Sequence, residues 1–149
     1  MKTAFSPGPD CKNMILDHIR SATFELWICV FTISDNDISQ TLLNAHKNGV
    51  KIRIVTDNEK LMDTGSDIFD LEREGIPIKT DLSPNHMHHK FSIADGRRLI
   101  TGSYNWTRSA EQYNQENLIE TEHPDLIKPF KAEFKRLWDT LSPLGSSKK

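Results

Sequence analysis

No stretch of this sequence is apolar for long enough to cross a bilayer. Its longest apolar run, Leu26 to Phe31, falls far short of the about 20 residues a spanning helix needs. The opening residues, MKTAFSPGP, lack the apolar core of a secretory signal. The reading is therefore of a soluble chain, cytoplasmic as given and without stable membrane insertion. Cysteine is scarce too: Cys11 and Cys29 stand alone, which excludes a disulfide scaffold and a thiolate metal site, and Cys29 reads as a small buried hydrophobe. An excess of one charge is also missing, since 19 Lys and Arg face 21 Asp and Glu. A polyanionic partner would have to meet a local basic patch rather than a basic protein. There is no internal repeat. At 149 residues the chain makes one domain, taken as residues 1–142, with 143–149 as a flexible tail.

What is present alternates in period. KTAFS reads as a short strand and SPGP as a breaker. DCKNMILDHIRSA carries Met14, Ile15, His18 and Ile19 at helical spacing behind Asp10 as a cap. FELWICVFTI is a strand, SDNDISQTLLNAHKNG a capped helix closed by Gly49, and VKIRIVTD a strand. SDIFDLEREG is a helix ending at Gly75, followed by the short strand IPIKT. Three rounds of strand and helix imply right-handed crossovers and a largely parallel sheet in this half. Further on, ENLIET reads as a strand and HPDLIKPFKAEFKRLWDTL as an amphipathic helix kinked at Pro129. The fold class is α/β, a mixed sheet flanked by helices on both faces.

Between these halves lies NHMHHKFSIADGRRLITGSYNWT, which holds three of the six histidines within four residues. Asp95-Gly96 between HHKFSIA and RRLITGS is a strong hairpin signal. A two-residue loop sets Lys90 opposite Thr101 and His88 opposite Ser103; a three-residue loop shifts the register by one. The period of 2 puts His88 and Lys90 on one face and Phe91 and Ile93 on the other. Ser103 and Asn105 join the first face if the second strand continues. An imidazole, an ammonium, a hydroxyl and a carboxamide converging on one spot suit a tetrahedral anion. Glu116, on the following strand, is placed to orient the imidazole.

The run His88-x-Lys90-x4-Asp95-x6-Gly102-Ser103-x-Asn105 resembles the complete signature of the phospholipase D superfamily, and Glu116 follows at the distance found in its small single-motif nucleases. The remaining chain also looks like the bacterial endonucleases and the Zucchini/mitochondrial phospholipase D group, without the Cys/His zinc-binding insertion of the latter. The resemblance implies a phospholipase D-like fold and a metal-independent phosphodiesterase that works without a cofactor, through a phosphohistidine. In that family a histidine from a second motif protonates the leaving oxygen. Here only one motif exists, since His18 is followed by Arg20 and His46 by Asn48 at the position a lysine would take. The second should come from a second chain, which makes a homodimer with the site on its twofold axis.

On this reading His88, Lys90, Ser103, Asn105 and Glu116 are catalytic; Lys90, Asn105, Arg97 and Arg108 bind substrate; Asp95 and Gly102 are structural. A metal site at the histidine cluster is not expected, because no acid or thiol stands beside it in sequence. His86 and His89 are taken as non-catalytic, and Tyr104 and Trp106 as core. The function expected is a non-specific endonuclease acting on DNA or RNA. Two alternatives stand: a phospholipase D-type phospholipid hydrolase or transphosphatidylase, and a catalytically silent nucleic-acid-binding module.

Overall fold

The computed structural model describes residues 1–59, 63 and 65–144. In chain order the elements are β1 (Lys2–Ser6), α1 (Asp10–Ser21), β2 (Glu25–Val30), α2 (Asn36–Lys47), β3 (Lys51–Asp57), α3 (Ile68–Arg73), β4 (Ile78–Asp81), β5 (Lys90–Ala94), β6 (Arg98–Gly102), α4 (Arg108–Gln112), β7 (Glu116–Thr121), α5 (Pro124–Thr140) and β8 (Ser142–Pro143). The strands form one sheet in the order β1-β7-β6-β5-β2-β3-β4-β8. As expected, β2, β3 and β4 are mutually parallel, and β5 joins β2 antiparallel.

Strand alternation divides the core in two. Leu26, Ile28, Ile52, Ile54, Ala94 and Ile100 pack with Ile15 and Ile19 of α1, Leu42 of α2 and Leu71 of α3. The opposite face, with Val55, Phe91, Ile93 and Leu99, is covered by Ile127, Phe134 and Leu137 of α5. Helices thus lie on both faces. On the α5 side Trp27, Phe134 and Trp138 stack with centroids 5.0 and 5.9 Å apart. Arg53 and Lys79 lie over the Trp138 ring, at 5.5 and 4.7 Å. The Arg53 charge is thus engaged within the fold. Tyr104 and Trp106 are buried as core, and both cysteines are buried and free. Among the described residues no helix is long and apolar enough to cross a membrane.

Four local expectations are corrected. Asp10 does not cap α1; Pro9 takes that position without a side-chain cap, and Asp10 lies in the first turn. By contrast Asp35 does cap α2, accepting from Asp37 N at 3.0 Å. Second, α3 is shorter than SDIFDLEREG, beginning only at Ile68. Third, Ser142–Pro143 adds to β4 as β8 and Leu144 is buried, so the folded unit runs past residue 142, and of the expected tail 145–149 lie outside the described residues.

The fourth correction is the hairpin register. Phe91 pairs with Thr101 and Ala94 with Arg98, the three-residue alternative, with Asp95, Gly96 and Arg97 in the loop. Long-range bonds select it. Asp95 adopts φ +55, its N–H donates to Glu25 O at 2.9 Å, and its carboxylate accepts from the backbone N–H groups of Thr23, Phe24 and Glu25 at 3.0, 2.7 and 3.1 Å. Those bonds tie the turn to the loop before β2. They hold the carboxyl below its ordinary range against the burial that would raise it.

Candidate active site

The sheet's architecture gathers one edge of chemistry. β2 and β3 run parallel and β5 runs against them, so the carboxyl ends of β2 and β3 meet the start of β5. Ligands in α/β sheets sit outside the carboxyl ends of parallel strands. Here that end carries Phe31, Asp57, the His86–His89 segment and Lys90.

Lys90 is the first residue of β5 and shares its face with Ser92 and Ala94 rather than with the buried Phe91 and Ile93. Its Nζ lies 2.8 Å from His88 Nδ1 and donates to the His88 carbonyl oxygen, also at 2.8 Å. The same Nζ is 3.4 Å from His88 Nε2, so the ammonium lies over the ring, near both nitrogens, rather than along one lone pair. Partial burial and then the charges of Lys90 and His86 push the His88 imidazole below its ordinary value, against Asp57 and Glu59, which act to raise it. Burial also lowers Lys90, opposed by Glu116. The His88 ring rests against Phe31, centroids 4.9 Å apart.

The other strands complete an open cleft of about 510 Å³, lined by His88, His89, Lys90, Phe91, Thr101, Gly102, Ser103, Asn105 and Glu116. Ser103 Oγ accepts from Asn117 N at 3.1 Å, so β7 fixes the hydroxyl and leaves its O–H to donate elsewhere. Asn105 Oδ1 is buried and has no hydrogen-bond partner among the described residues. The Glu116 carboxylate accepts from Asn114 Nδ2 at 3.2 Å, so it is held at the cleft by a neighbour other than His88. Gly102 is required by contact: a Cβ there would stand 2.2 Å from the Asn117 carbonyl oxygen.

The expected residues are therefore not all together. His88, Lys90, Gly102, Ser103, Asn105 and Glu116 share the cleft. Asp95 and Arg97 occupy the turn at the far end of β5, about 13 Å along the strand from Lys90. Arg108 opens α4; with the Asn36 amide turned so that its nitrogen faces Asp67, the amide oxygen accepts from Arg108 Nη2 at 2.5 Å. Neither arginine lines the cleft.

The histidine cluster has acidic company after all, which corrects the sequence reading. His89 Nε2 lies 3.0 Å from Glu133 Oε2 of α5. His86 Nδ1 lies 3.6 Å from both Asp57 Oδ2 and Glu59 Oε2. These acids are remote in sequence and arrive through the sheet and α5, so local spacing does not reveal them. The available signal was the position of Asp57 at the carboxyl end of a parallel strand.

A family model for the cardiolipin synthase, PLD-like domain matches residues 15–138. The chain is 45% identical over 132 residues to the mitochondrial cardiolipin hydrolase of Danio rerio, covering 88% of this chain and 58% of that protein. To the mitochondrial cardiolipin hydrolase of Homo sapiens it is 38% identical over 136 residues, covering 91% of this chain and 54% of that one. The chain thus spans a little over half the length of these relatives. Nuc from Salmonella typhimurium, a phospholipase D family member, superposes with a TM-score of 0.89 at 28% identity over 95% of both chains. NucT from Helicobacter pylori gives 0.82 at 20% identity, over 96% of this chain and 99% of that one, a likeness of fold. By its fold, its matched domain and the identity of its relatives, the chain belongs to the phospholipase D superfamily, within the cardiolipin synthase, PLD-like domain family.

Proposed function

We propose that this chain is a metal-independent phosphodiesterase, a non-specific endonuclease of DNA or RNA that works through a phosphohistidine at a homodimer interface. The contact of Lys90 with His88, in an open cleft with Asn105 and Ser103, carries the reading. In the resting chain the ammonium lies against the imidazole ring. When a phosphodiester enters, its anionic oxygens compete for Nζ, and Lys90 moves from ring to phosphate. A neutral imidazole nitrogen then attacks phosphorus, with Lys90, Asn105 and the Ser103 hydroxyl around the non-bridging oxygens. His88–P forms as the P–O bond to the leaving group breaks; the leaving oxygen takes a proton from the partner's imidazole, which enters as the imidazolium and, left neutral, takes a proton back from the incoming water. Water then attacks phosphorus, the N–P bond breaks, and a phosphomonoester is released. Arg97 and Arg108 stand outside this step.

Two observations support the second chain. One motif supplies one imidazole, while attack and leaving-group protonation occur on opposite sides of phosphorus and require two. Asn105 Oδ1 is a buried acceptor without a donor among the described residues, a state costing about 1–3 kcal/mol until something donates to it. A donor from a partner chain would meet that need, whereas the anionic oxygens of a phosphodiester only accept.

A phospholipid substrate is the second reading, favoured by the relatives named mitochondrial cardiolipin hydrolases. The same four groups serve either phosphodiester. Purified protein assayed against single-stranded DNA, duplex DNA, RNA and cardiolipin vesicles, each with and without EDTA, separates them. Cleavage of nucleic acid in EDTA with cardiolipin intact supports the nuclease; the opposite pattern overturns it in favour of the lipid. Binding without turnover of any of them marks a silent nucleic-acid-binding module.

A further inference from the structure

Beside the hydrolytic cleft, on the other side of His88, lies a cluster the reaction does not use. Asp57 ends β3 with its side chain fully buried, Glu59 follows two residues later, and His86 precedes His88 by two. One ligand atom from each of the three lies within 4.8 Å of the others.

The distances are those of charges in contact without a hydrogen bond between them. His86 Nδ1 is 3.6 Å from Asp57 Oδ2 and 3.6 Å from Glu59 Oε2, beyond the about 2.7–3.2 Å of an N–H···O bond. An imidazolium between two carboxylates would close on one of them. A metal between them would not allow it: bonds of about 2.0–2.2 Å to nitrogen and oxygen at tetrahedral angles set adjacent ligand atoms about 3.4 Å apart. The two gaps from His86 are near that size, and the third lies within 4.8 Å. The arrangement is also oriented beforehand. The Phe31 ring meets His86 edge-on at 5.6 Å and 86°, and Asp57 is fixed by accepting from Met87 N at 2.6 Å and Glu59 N at 2.9 Å.

We propose that Asp57, Glu59 and His86 form a binding site for a divalent transition-metal cation, zinc by preference, separate from the phosphodiesterase chemistry. One imidazole and two carboxylates suit zinc, cobalt or manganese, whereas calcium asks for six or more oxygens and magnesium for a hydrated octahedron. Glu59 and His86 are each about half exposed, which leaves an open side for water to complete the shell. The consequence is mechanical. Asp57 Oδ1 already holds the Met87 N–H, so a cation joining Oδ2 to His86 would fasten both His86 and Met87 to the end of β3. Met87 is the residue before His88, so the bound cation braces the segment that carries the nucleophile.

The test is a cobalt titration of the full chain after EDTA and gel filtration, followed by visible absorption, with zinc as competitor. The expected result is one Co²⁺ per chain with a band stronger than that of aqueous cobalt, displaced by zinc. His86→Ala abolishes it, Glu59→Gln weakens binding at least about tenfold, and His89→Ala leaves it unchanged. Both decisive variants lie at half-exposed side chains, so they do not depend on the survival of an Asp57 variant. Zinc should raise the melting temperature of the parent chain and not that of His86→Ala. Absence of the band, its survival in His86→Ala, or its loss in His89→Ala overturns the proposal, the last by moving the ion to His89 and Glu133. These are binding readouts, so their failure is distinguishable from failure of the hydrolytic reading.

Discussion

Lys90 Nζ sits 2.8 Å from His88 Nδ1 and 2.8 Å from the carbonyl oxygen of the same residue, so one side chain bonds both the ring and the backbone of its neighbour two positions away. If these are nucleophile and phosphate clamp, replacing them has different consequences. His88→Ala removes turnover and spares both fold and substrate binding. Lys90→Ala and Asn105→Ala lower kcat on the order of 10²-fold or more, through lost stabilisation of developing charge. Single-turnover cleavage alongside equilibrium binding checks this. A His88→Ala protein that still turns over contradicts it.

The pH profile follows from the same pair. Burial, Lys90 and His86 lower the His88 imidazole, so more of it is deprotonated at pH values where an ordinary histidine is half charged. The acid limb of kcat/KM on a small phosphodiester such as bis(p-nitrophenyl) phosphate should fall below about 6.5. A limb at or above that value contradicts the arrangement.

His89 serves as the comparison. It belongs to the same HMHHK run, yet its ring meets Phe91 edge-on at 5.5 Å and pairs with Glu133 on the α5 side. Arg136, and then His89, hold the Glu133 carboxyl down at about 2. A depressed carboxyl contributes stability above its unfolded value and loses it as pH falls toward the folded one, so this contribution fades between about 4.5 and 2. His89→Ala should cost less than about tenfold in turnover and under about 1 kcal/mol in stability, as exposed pairs do. Damage equal to that of His88→Ala would show that the strand faces are wrongly assigned.

Asp95 carries a signature position but stands at the far end of β5, bonded to three backbone N–H groups. Asp95→Ala should destabilise by about 1–3 kcal/mol, read as a lower melting temperature, while the folded fraction keeps its specific activity. Because its folded carboxyl is lowered, the stability it adds is present above about 3.9 and is lost as pH falls below it. Gly102→Ala is harsher, since its Cβ meets the Asn117 carbonyl at 2.2 Å and β6 and β7 must part; about 3 kcal/mol or more is expected. Specific activity lost in Asp95→Ala at unchanged stability would place Asp95 in the chemistry instead.

What was legible in the sequence was whatever a short window decides. Alternation along β5 put His88 and Lys90 opposite Phe91 and Ile93, and the signature spacing brought Ser103, Asn105 and Glu116 to the same cleft. Asp35 and Gly49 marked the ends of α2 through cap chemistry and a φ of +94. What was not legible depends on partners far along the chain. The hairpin register turns on Asp95 bonding residues 23–25, β8 on pairing of Ser142 with Thr80, and the acids beside His86 on β3. Arg97 and Arg108 carry the right charge and stand near the motif in sequence, yet the fold carries both away from the cleft.

Metal dependence separates the hydrolytic reading from any cation at Asp57, Glu59 and His86. Cleavage should persist in excess EDTA, because charge on phosphorus is met by lysines and asparagines rather than by a Lewis acid. Activity abolished by chelator and restored by zinc or magnesium would contradict the phosphohistidine reading.

The proposed mechanism needs two imidazoles per site, and a linked dimer tests that most directly. Two copies joined in tandem by a flexible linker, one unaltered and one carrying His88→Ala, hold every molecule in the mixed state; the control links two unaltered copies. With His88 of each chain serving the same phosphorus, the mixed dimer should lose at least about 10²-fold in kcat, as removal of a general acid or of the nucleophile does. Half the activity of the control would show that each chain works alone with one histidine, and would contradict the two-imidazole mechanism.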